Sequence, residues 1–296
     1  MEDKIILITG ANGQLGQELL RASENVKNLQ MIFSDVEQLD ITNNRQVREV
    51  ITDLKPFAVV NCAAYTAVDK AESEPALATL INVAGAGSLA AACAINDSLL
   101  IHISTDYVFG GNGNTPYTEG EPVDPNGVYA ISKAYGEQAV ISSGADYVII
   151  RTSWLYSVFG HNFVKTMLRL GKEREELKVV NDQIGSPTNA RDLSMAIIKI
   201  LLHPASEQPI REIVHYANEG VVSWFDFAVE IMSFAKLNCN VLPIPTSEYP
   251  LPAPRPAYSV LDTAKIRSTF GIEIPAWKES LHKCLEELNR LNQEKN

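Results

Sequence analysis

Apolar residues in this chain fall into short unbroken runs, separated by segments where they recur every three or four positions. Lys4-Ile-Ile-Leu-Ile-Thr9 is the first run. Its β-branched, apolar make-up predicts a strand buried in a parallel sheet. The segment 14–20 then carries apolar residues at helical spacing. Further runs at 30–33, 57–61, 99–103 and 148–150 repeat the alternation. Strand alternating with helix through about residue 150 predicts a doubly wound parallel α/β sheet of the Rossmann type. Beyond it the order is less regular and is punctuated by Gly160, Gly171 and Gly185. We therefore place a first unit at 1–153 and a smaller second unit at 154–296, with a helix near 189–203 returning to the first. The prolines of 242–256 exclude regular helix and central strand there. From Lys278 onward a charged amphipathic helix with a solvated outer face is expected. No repeats or low-complexity tracts interrupt the pattern.

With 296 residues, 46% of them hydrophobic, the chain can bury one large core or two modest ones. No apolar run approaches the roughly 18 residues that cross a bilayer. The first strand occupies the N-terminus in place of a signal peptide. A cytoplasmic protein without membrane partners is expected. Cys62, Cys93, Cys239 and Cys284 show no metal-binding or redox spacing, and the two within apolar or alanine-rich stretches read as reduced core thiols. A net charge of -11 argues against nucleic acid as a partner. An anionic ligand would then need a local basic patch, for which Arg255 and Lys165 are candidates.

Chemistry enters at the turn after the first run. Gly10-Ala-Asn-Gly13-Gln-Leu-Gly16 lies between a predicted strand and a predicted helix, the setting in which glycines seat a dinucleotide pyrophosphate. The first glycine permits the tight turn, the second lets backbone approach phosphate, and the third lets helix pack on strand. Asn12, Gln14 and Leu15 complete the cradle, whose orphan amides face the phosphates. The GxxGxxG spacing resembles the extended short-chain dehydrogenase/reductase superfamily. Asp35, about 20 residues on, stands where an adenosine ribose is usually held. Its charge repels a 2′-phosphate, which favours NADH over NADPH. Asp40-Ile41 and Ala63-Ala64-Tyr65 fall where that superfamily lines its adenine and nicotinamide pockets.

The run at 99–103 ends in Ser104-Thr105-Asp106-Tyr107, so a hydroxyl is expected at the ligand crevice. In Tyr129-Ala-Ile-Ser-Lys133 the tyrosine and lysine share one helix face. A tyrosine titrates near ~10 unperturbed and gains as an acid–base catalyst when a neighbouring ammonium lowers that value. The expected step is hydride transfer from a nicotinamide to a carbonyl carbon while Tyr129 protonates the developing alkoxide. Lys133 would lower the tyrosine pKa and hold the nicotinamide ribose. Thr105, or Ser104, would donate a hydrogen bond to the same oxygen.

The chain resembles the dTDP-4-dehydrorhamnose reductase family from the first strand to about Ile266. The resemblance rests on Asn61-Cys-Ala-Ala-Tyr-Thr-Ala-Val-Asp69-Lys-Ala-Glu72 and Ser104-Thr-Asp-Tyr-Val-Phe109. Beyond the cofactor machinery it rests on Arg151-Thr-Ser-Trp154-Leu-Tyr156, Asn162-Phe-Val-Lys-Thr-Met167, Asp182-Gln-Ile-Gly-Ser-Pro-Thr188 and Arg255-Pro-Ala-Tyr-Ser-Val-Leu-Asp262. It implies a dTDP-sugar substrate, dTDP-6-deoxy-L-lyxo-4-hexulose, reduced at C4 to dTDP-β-L-rhamnose with NADPH or NADH. It also implies that Thr105 and Asp106 reach the substrate, that Tyr129 donates the proton, and that the second unit binds the sugar nucleotide. Trp154 would pack on the sugar's apolar face. Arg255 would clamp the diphosphate, and Asn162 would add a neutral hydrogen bond. Some members are associated with magnesium at a subunit contact; Glu18 is the candidate by position, but a solvated role is preferred and the metal stays unassigned. A homodimer is left open. The alternatives are a non-catalytic regulator resembling the methionine adenosyltransferase β subunit, and a sugar-nucleotide epimerase or dehydratase.

Overall fold

The computed structural model describes residues 3–24 and 26–294. Strand β1 (Lys4–Thr9) leads through the glycine turn into α1 (Gln14–Ser23). Then come β2 (Leu29–Ser34), α2 (Asn44–Leu54), β3 (Ala58–Asn61), and the short helices α3 (Val68–Ala71) and α4 (Pro75–Thr79). After a π-helical stretch at Leu80–Gly85 follow α5 (Ala86–Ile95), β4 (Leu99–Thr105), α6 (Val128–Ile141) and β5 (Tyr147–Thr152). The second half opens with β6 (Leu155–Tyr156), α7 (Phe163–Glu173), β7 (Glu176–Val180), β8 (Ile184–Gly185), β9 (Thr188–Asn189) and α8 (Ala190–Leu202). It ends with β10 (Arg211–Tyr216), β11 (Val222–Ser223), α9 (Trp224–Phe234), β12 (Asn240–Ile244), α10 (Ala264–Phe270) and α11 (Trp277–Gln293).

Six strands form one parallel sheet in the order β2-β1-β3-β4-β5-β10. Side chains alternate across it. Ile6, Ile8, Val60, Ile101 and Val148 face a core completed by α1, α8 and α10, whereas Leu7, Val59, Leu100 and Ile149 face one completed by α2, α5 and α6. Each such side chain contributes about 1.5–3 kcal/mol on full burial. A register slip of one residue would swap the two faces, so the double burial fixes the pairing. The order reverses between β1 and β3, which opens a ligand crevice at their carboxyl ends.

The chain past residue 153 supplies α8, β10 and α10 to this large sheet. The boundary at 153–154 thus divides the smaller unit only from the first five strands. That unit has its own core of Tyr156, Val164, Phe227, Ile231, Trp277 and Leu281. Within it β12 pairs with β7 in a two-stranded sheet, where an edge tolerates Pro243.

One expectation is corrected. Pro75–Ile95 is a continuous helical run of 21 residues, long and apolar enough by length and composition to cross a membrane. Its alanines and glycines conceal it in the sequence because they are apolar without being bulky. In the fold α5 buries Ala86, Leu89, Ala90 and Cys93, and Leu89, Ala90 and Cys93 join the same core as Leu7 and Leu100.

Candidate active site

The three glycines of the first turn do different work. Gly10 has φ +66°, and a Cβ there would lie 2.5 Å from the backbone nitrogen of Ala63. A Cβ on Gly16 would lie 2.5 Å from the Gly10 carbonyl oxygen and 2.6 Å from Ala11 Cα, so only glycine lets α1 rest on the turn. Gly13 is less crowded, with the Gly10 oxygen 3.3 Å from where its Cβ would be. It caps α1 without a side-chain hydrogen bond, which leaves the helix's first-turn amides free of any side-chain acceptor. Backbone amides with this open approach fit a pyrophosphate.

Asp35, just beyond β2, is fixed to this turn. Its carboxylate accepts from Asn12 N at 2.7 Å and from Val36 N at 2.7 Å. Asp40 Oδ1 accepts from Thr42 N and Oγ1, at 2.9 and 2.7 Å. Ile41 is buried against Gly85. Ala63 and Ala64 are half-buried beyond β3. Ala63 N donates to Asn61 Oδ1 at 3.2 Å, and Thr9 Oγ1 donates to the same atom at 2.8 Å. Tyr65 is tied down more firmly. Its hydroxyl donates to Glu74 at 2.8 Å, its amide donates to Asn82 Oδ1 at 2.8 Å, and its ring packs in a small cluster beside Val128 and Tyr129.

Tyr129 sits in the first turn of α6, whose start is capped by Glu72 Oε1 accepting from Val128 N at 2.8 Å. Thr105 ends β4, and its hydroxyl donates to Asp106 Oδ1 at 3.0 Å. Burial pushes the Tyr129 phenol up to about 12; a hydrogen bond with Thr105 opposes the rise and the Asp106 charge adds to it. Burial likewise raises Asp106 to about 6, against hydrogen bonding from neighbours that include Thr105. The expected lowering of Tyr129 by Lys133 is absent. Lys133 is 2% exposed and donates from Nζ to the Ile103 carbonyl at 2.6 Å. Burial pushes Lys133 down to about 8, opposed by Glu137. The sequence left Ser104 and Thr105 as alternatives; here the Ser104 hydroxyl turns back to Glu137, and Thr105 is the one that meets Tyr129.

On the expected substrate side, side chains are engaged with partners far along the chain. Trp154, held at φ +48°, stacks on Trp224 with ring centres 3.6 Å apart. One indole face is therefore taken by protein. Asn162 caps α7 by accepting from Lys165 N at 3.1 Å, and its Nδ2 donates to Gln14 Oε1 at 2.9 Å and to Ser157 O at 2.7 Å. That is a brace between the second unit and the glycine turn. Lys165 Nζ donates to the Gly160 carbonyl at 2.7 Å. Arg255 pairs with Asp69 at 2.7 Å and donates to Ala253 O at 2.8 Å. It lines a cleft with Tyr107 and Asn126, and the Tyr107 ring stands edge-on to Tyr129 at 5.5 Å.

Glu18 is also corrected: it is 2% exposed, accepts from Ser157 Oγ at 2.5 Å and lies 3.7 Å from Arg21. Burial raises its pKa. Among the described residues no group of three or more His, Cys, Asp or Glu could hold a metal. Sequence reading missed the buried Glu137–Arg151 pair, in which Arg151 Nε and Nη2 donate to the two carboxylate oxygens at 3.0 and 2.7 Å. A lone arginine inside the apolar run 147–152 was the signal, because a buried charge requires a partner.

A glycine turn at the switch point of a doubly wound sheet, with tyrosine, threonine and lysine gathered at the end of β4, defines a nicotinamide-dependent oxidoreductase of the short-chain dehydrogenase/reductase class. The chain belongs to the RmlD substrate binding domain family, whose profile matches residues 4–290. It is 43% identical to the spore coat polysaccharide biosynthesis protein SpsK of Bacillus subtilis, over 95% of this chain and 97% of that protein. It is 41% identical to a dTDP-4-dehydrorhamnose reductase of Burkholderia thailandensis, over 96% of this chain and 98% of that one. A dTDP-4-dehydrorhamnose reductase of Bacillus anthracis, solved in complex with NADP, superimposes with a TM-score of 0.90 at 42% identity, covering 96% of this chain and 99% of that chain.

Proposed function

We infer that this chain reduces the C4 ketone of dTDP-6-deoxy-L-lyxo-4-hexulose to dTDP-β-L-rhamnose, the last step of dTDP-L-rhamnose biosynthesis, at the expense of a reduced nicotinamide. The observation that carries the reading is the gathering of Thr105 at the carboxyl end of β4 with Tyr129 and Lys133 on the first turns of α6, in a chain matched by this family along nearly its whole length. The nicotinamide, when bound, supplies the hydride.

The residues do the rest. Gly10, Gly13 and Gly16, with Asn12, Gln14 and Leu15, present backbone to the pyrophosphate. Asp35 holds the adenosine ribose, Asp40 and Ile41 flank the adenine, and Ala63, Ala64 and Tyr65 border the nicotinamide. At neutral pH Tyr129 remains a phenol, since its pKa is pushed up to about 12. That form is the one a reductase needs, because an alkoxide is the stronger base and takes the proton downhill. Thr105 orients the carbonyl oxygen, Asp106 lies beside it, and Lys133, which gives one N–H to the Ile103 carbonyl, has its remaining N–H groups for the ribose. Arg255 spends two of its five N–H groups on Asp69 and Ala253 and offers the others to the diphosphate. The partly exposed part of Trp154 borders the sugar.

The test follows loss of reduced-nicotinamide absorbance on adding the 4-ketosugar nucleotide, with NADH and NADPH in parallel. Stoichiometric oxidation yielding dTDP-rhamnose is the expected result. Cofactor that binds without being consumed would point instead to an epimerase, a dehydratase or a regulatory subunit. In the same assay Asp35→Ala should raise the NADPH-to-NADH ratio of kcat/KM by about tenfold or more, because a charge repelling the 2′-phosphate is gone. An unchanged ratio would remove Asp35 from the ribose site.

A further inference from the structure

Behind the catalytic face, β4 and α6 are bolted together at successive residues. The Ile103 carbonyl accepts from the Lys133 ammonium and the Ser104 hydroxyl donates to Glu137, while the next residue, Thr105, donates to Asp106. Glu137 stands one helical turn past Lys133 and is 2% exposed. Its carboxylate is held from the far side by Arg151, which lies opposite Ser104 in the β4–β5 register. We propose that Glu137 is a positioning residue for the reduction: its carboxylate, locked by Ser104 and Arg151, keeps the buried Lys133 cationic and fixes the catalytic turn of α6 against β4. The proposal rests on the reading of Lys133 as part of the reductase machinery.

The groups packed around Lys133 single out Glu137. On the same helix Tyr129 is an uncharged phenol at neutral pH, its pKa pushed up to about 12. From β4, His102 is fully buried, and burial together with the Lys133 charge holds its pKa well below the ordinary value, so it stays neutral. Asp106 beyond that strand is turned to Thr105. Glu72 is spent on the α6 amide. Arg151 is paired with Glu137. Glu137 opposes the effect of burial on Lys133, which stands at about 8, close to the working range. Removing that charge moves the lysine further down, so the ammonium is lost as pH rises through a lower value than in the native chain.

Glu137→Gln should therefore move the alkaline limb of the kcat/KM profile down by about one pH unit, with activity near pH 6 affected least. Glu137→Asp should restore the native limb, and Ser104→Ala, which leaves the charge in place, should not move it. If Glu137→Gln fails to fold because Arg151 is stranded, the paired Glu137→Gln/Arg151→Gln chain carries no unmatched buried charge and should show a smaller downward move, because the opposing Arg151 charge is lost with the carboxylate. Direct titration of Lys133 by NMR of ¹³Cε-labelled lysine requires no substrate. It separates failure of this proposal from failure of the reductase reading. A Lys133 titration at the native pH in either glutamine variant overturns the proposal, whatever the level of turnover.

Discussion

Tyr129→Phe should lower turnover by about 10²–10⁴, the range of a lost general acid, while the cofactor binds almost as before. The ring keeps its edge-on contact with Tyr107 and its place beside Tyr65, so the fold has little reason to change. What disappears is the phenol hydroxyl beside Thr105 at the start of α6. Because that phenol stays protonated well above neutral pH, the native enzyme should show no alkaline limb from Tyr129 below about pH 10. A limb near 8 belongs to Lys133, whose pKa burial pushes to about 8. Steady-state oxidation of NADH, paired with cofactor titration by fluorescence quenching, reads both halves. Turnover within a few-fold of native would remove Tyr129 from the proton transfer.

Gly16→Ala should be the most damaging single-methyl change in the cofactor site. Its Cβ would stand 2.5 Å from the Gly10 oxygen and 2.6 Å from two atoms of Ala11. All of these are backbone, so α1 itself must lift away from the turn. Overpacking of this kind costs about 1–3 kcal/mol, and the displaced first turn should weaken cofactor binding at least tenfold. Gly13→Ala makes the informative contrast. There the crowding is a single oxygen at 3.3 Å, so the chain should melt near the native temperature and lose affinity for the cofactor alone. Equal melting temperatures for the native and Gly16→Ala chains would show that the turn has slack the geometry does not reveal.

These two sites were also the ones that local sequence could disclose. A glycine turn between a strand and a helix, and a tyrosine and lysine four residues apart, announce themselves within a dozen positions. The doubly wound sheet was legible for the same reason, since strands buried on both faces are nearly pure apolar runs. Side chains of the second unit were not. Arg255 finds Asp69 across 186 positions and Asn162 finds Gln14 across 148. No spacing rule reaches so far. The Tyr129 environment failed differently. Helical spacing put Tyr129 and Lys133 on one face of α6, but the sequence carried no sign that the Ile103 carbonyl would claim the ammonium, or that burial would raise the tyrosine. Pro75–Ile95 failed because small residues accumulate apolar character without looking apolar.

The late arrival of β10 at the sheet edge bears on how the chain is made. When the ribosome has released the first five strands, β5 still presents an unpaired edge, and the face later covered by α8 and α10 is bare. An open parallel edge beside exposed Ile and Val side chains is a template for aggregation. Domain-by-domain folding during synthesis, the usual protection for a long chain, is closed to this one until Phe270 has emerged. A nascent chain arrested near residue 203 should therefore need a chaperone to stay soluble, although every residue of the glycine turn and of the Thr105–Tyr129–Lys133 set has already been synthesised.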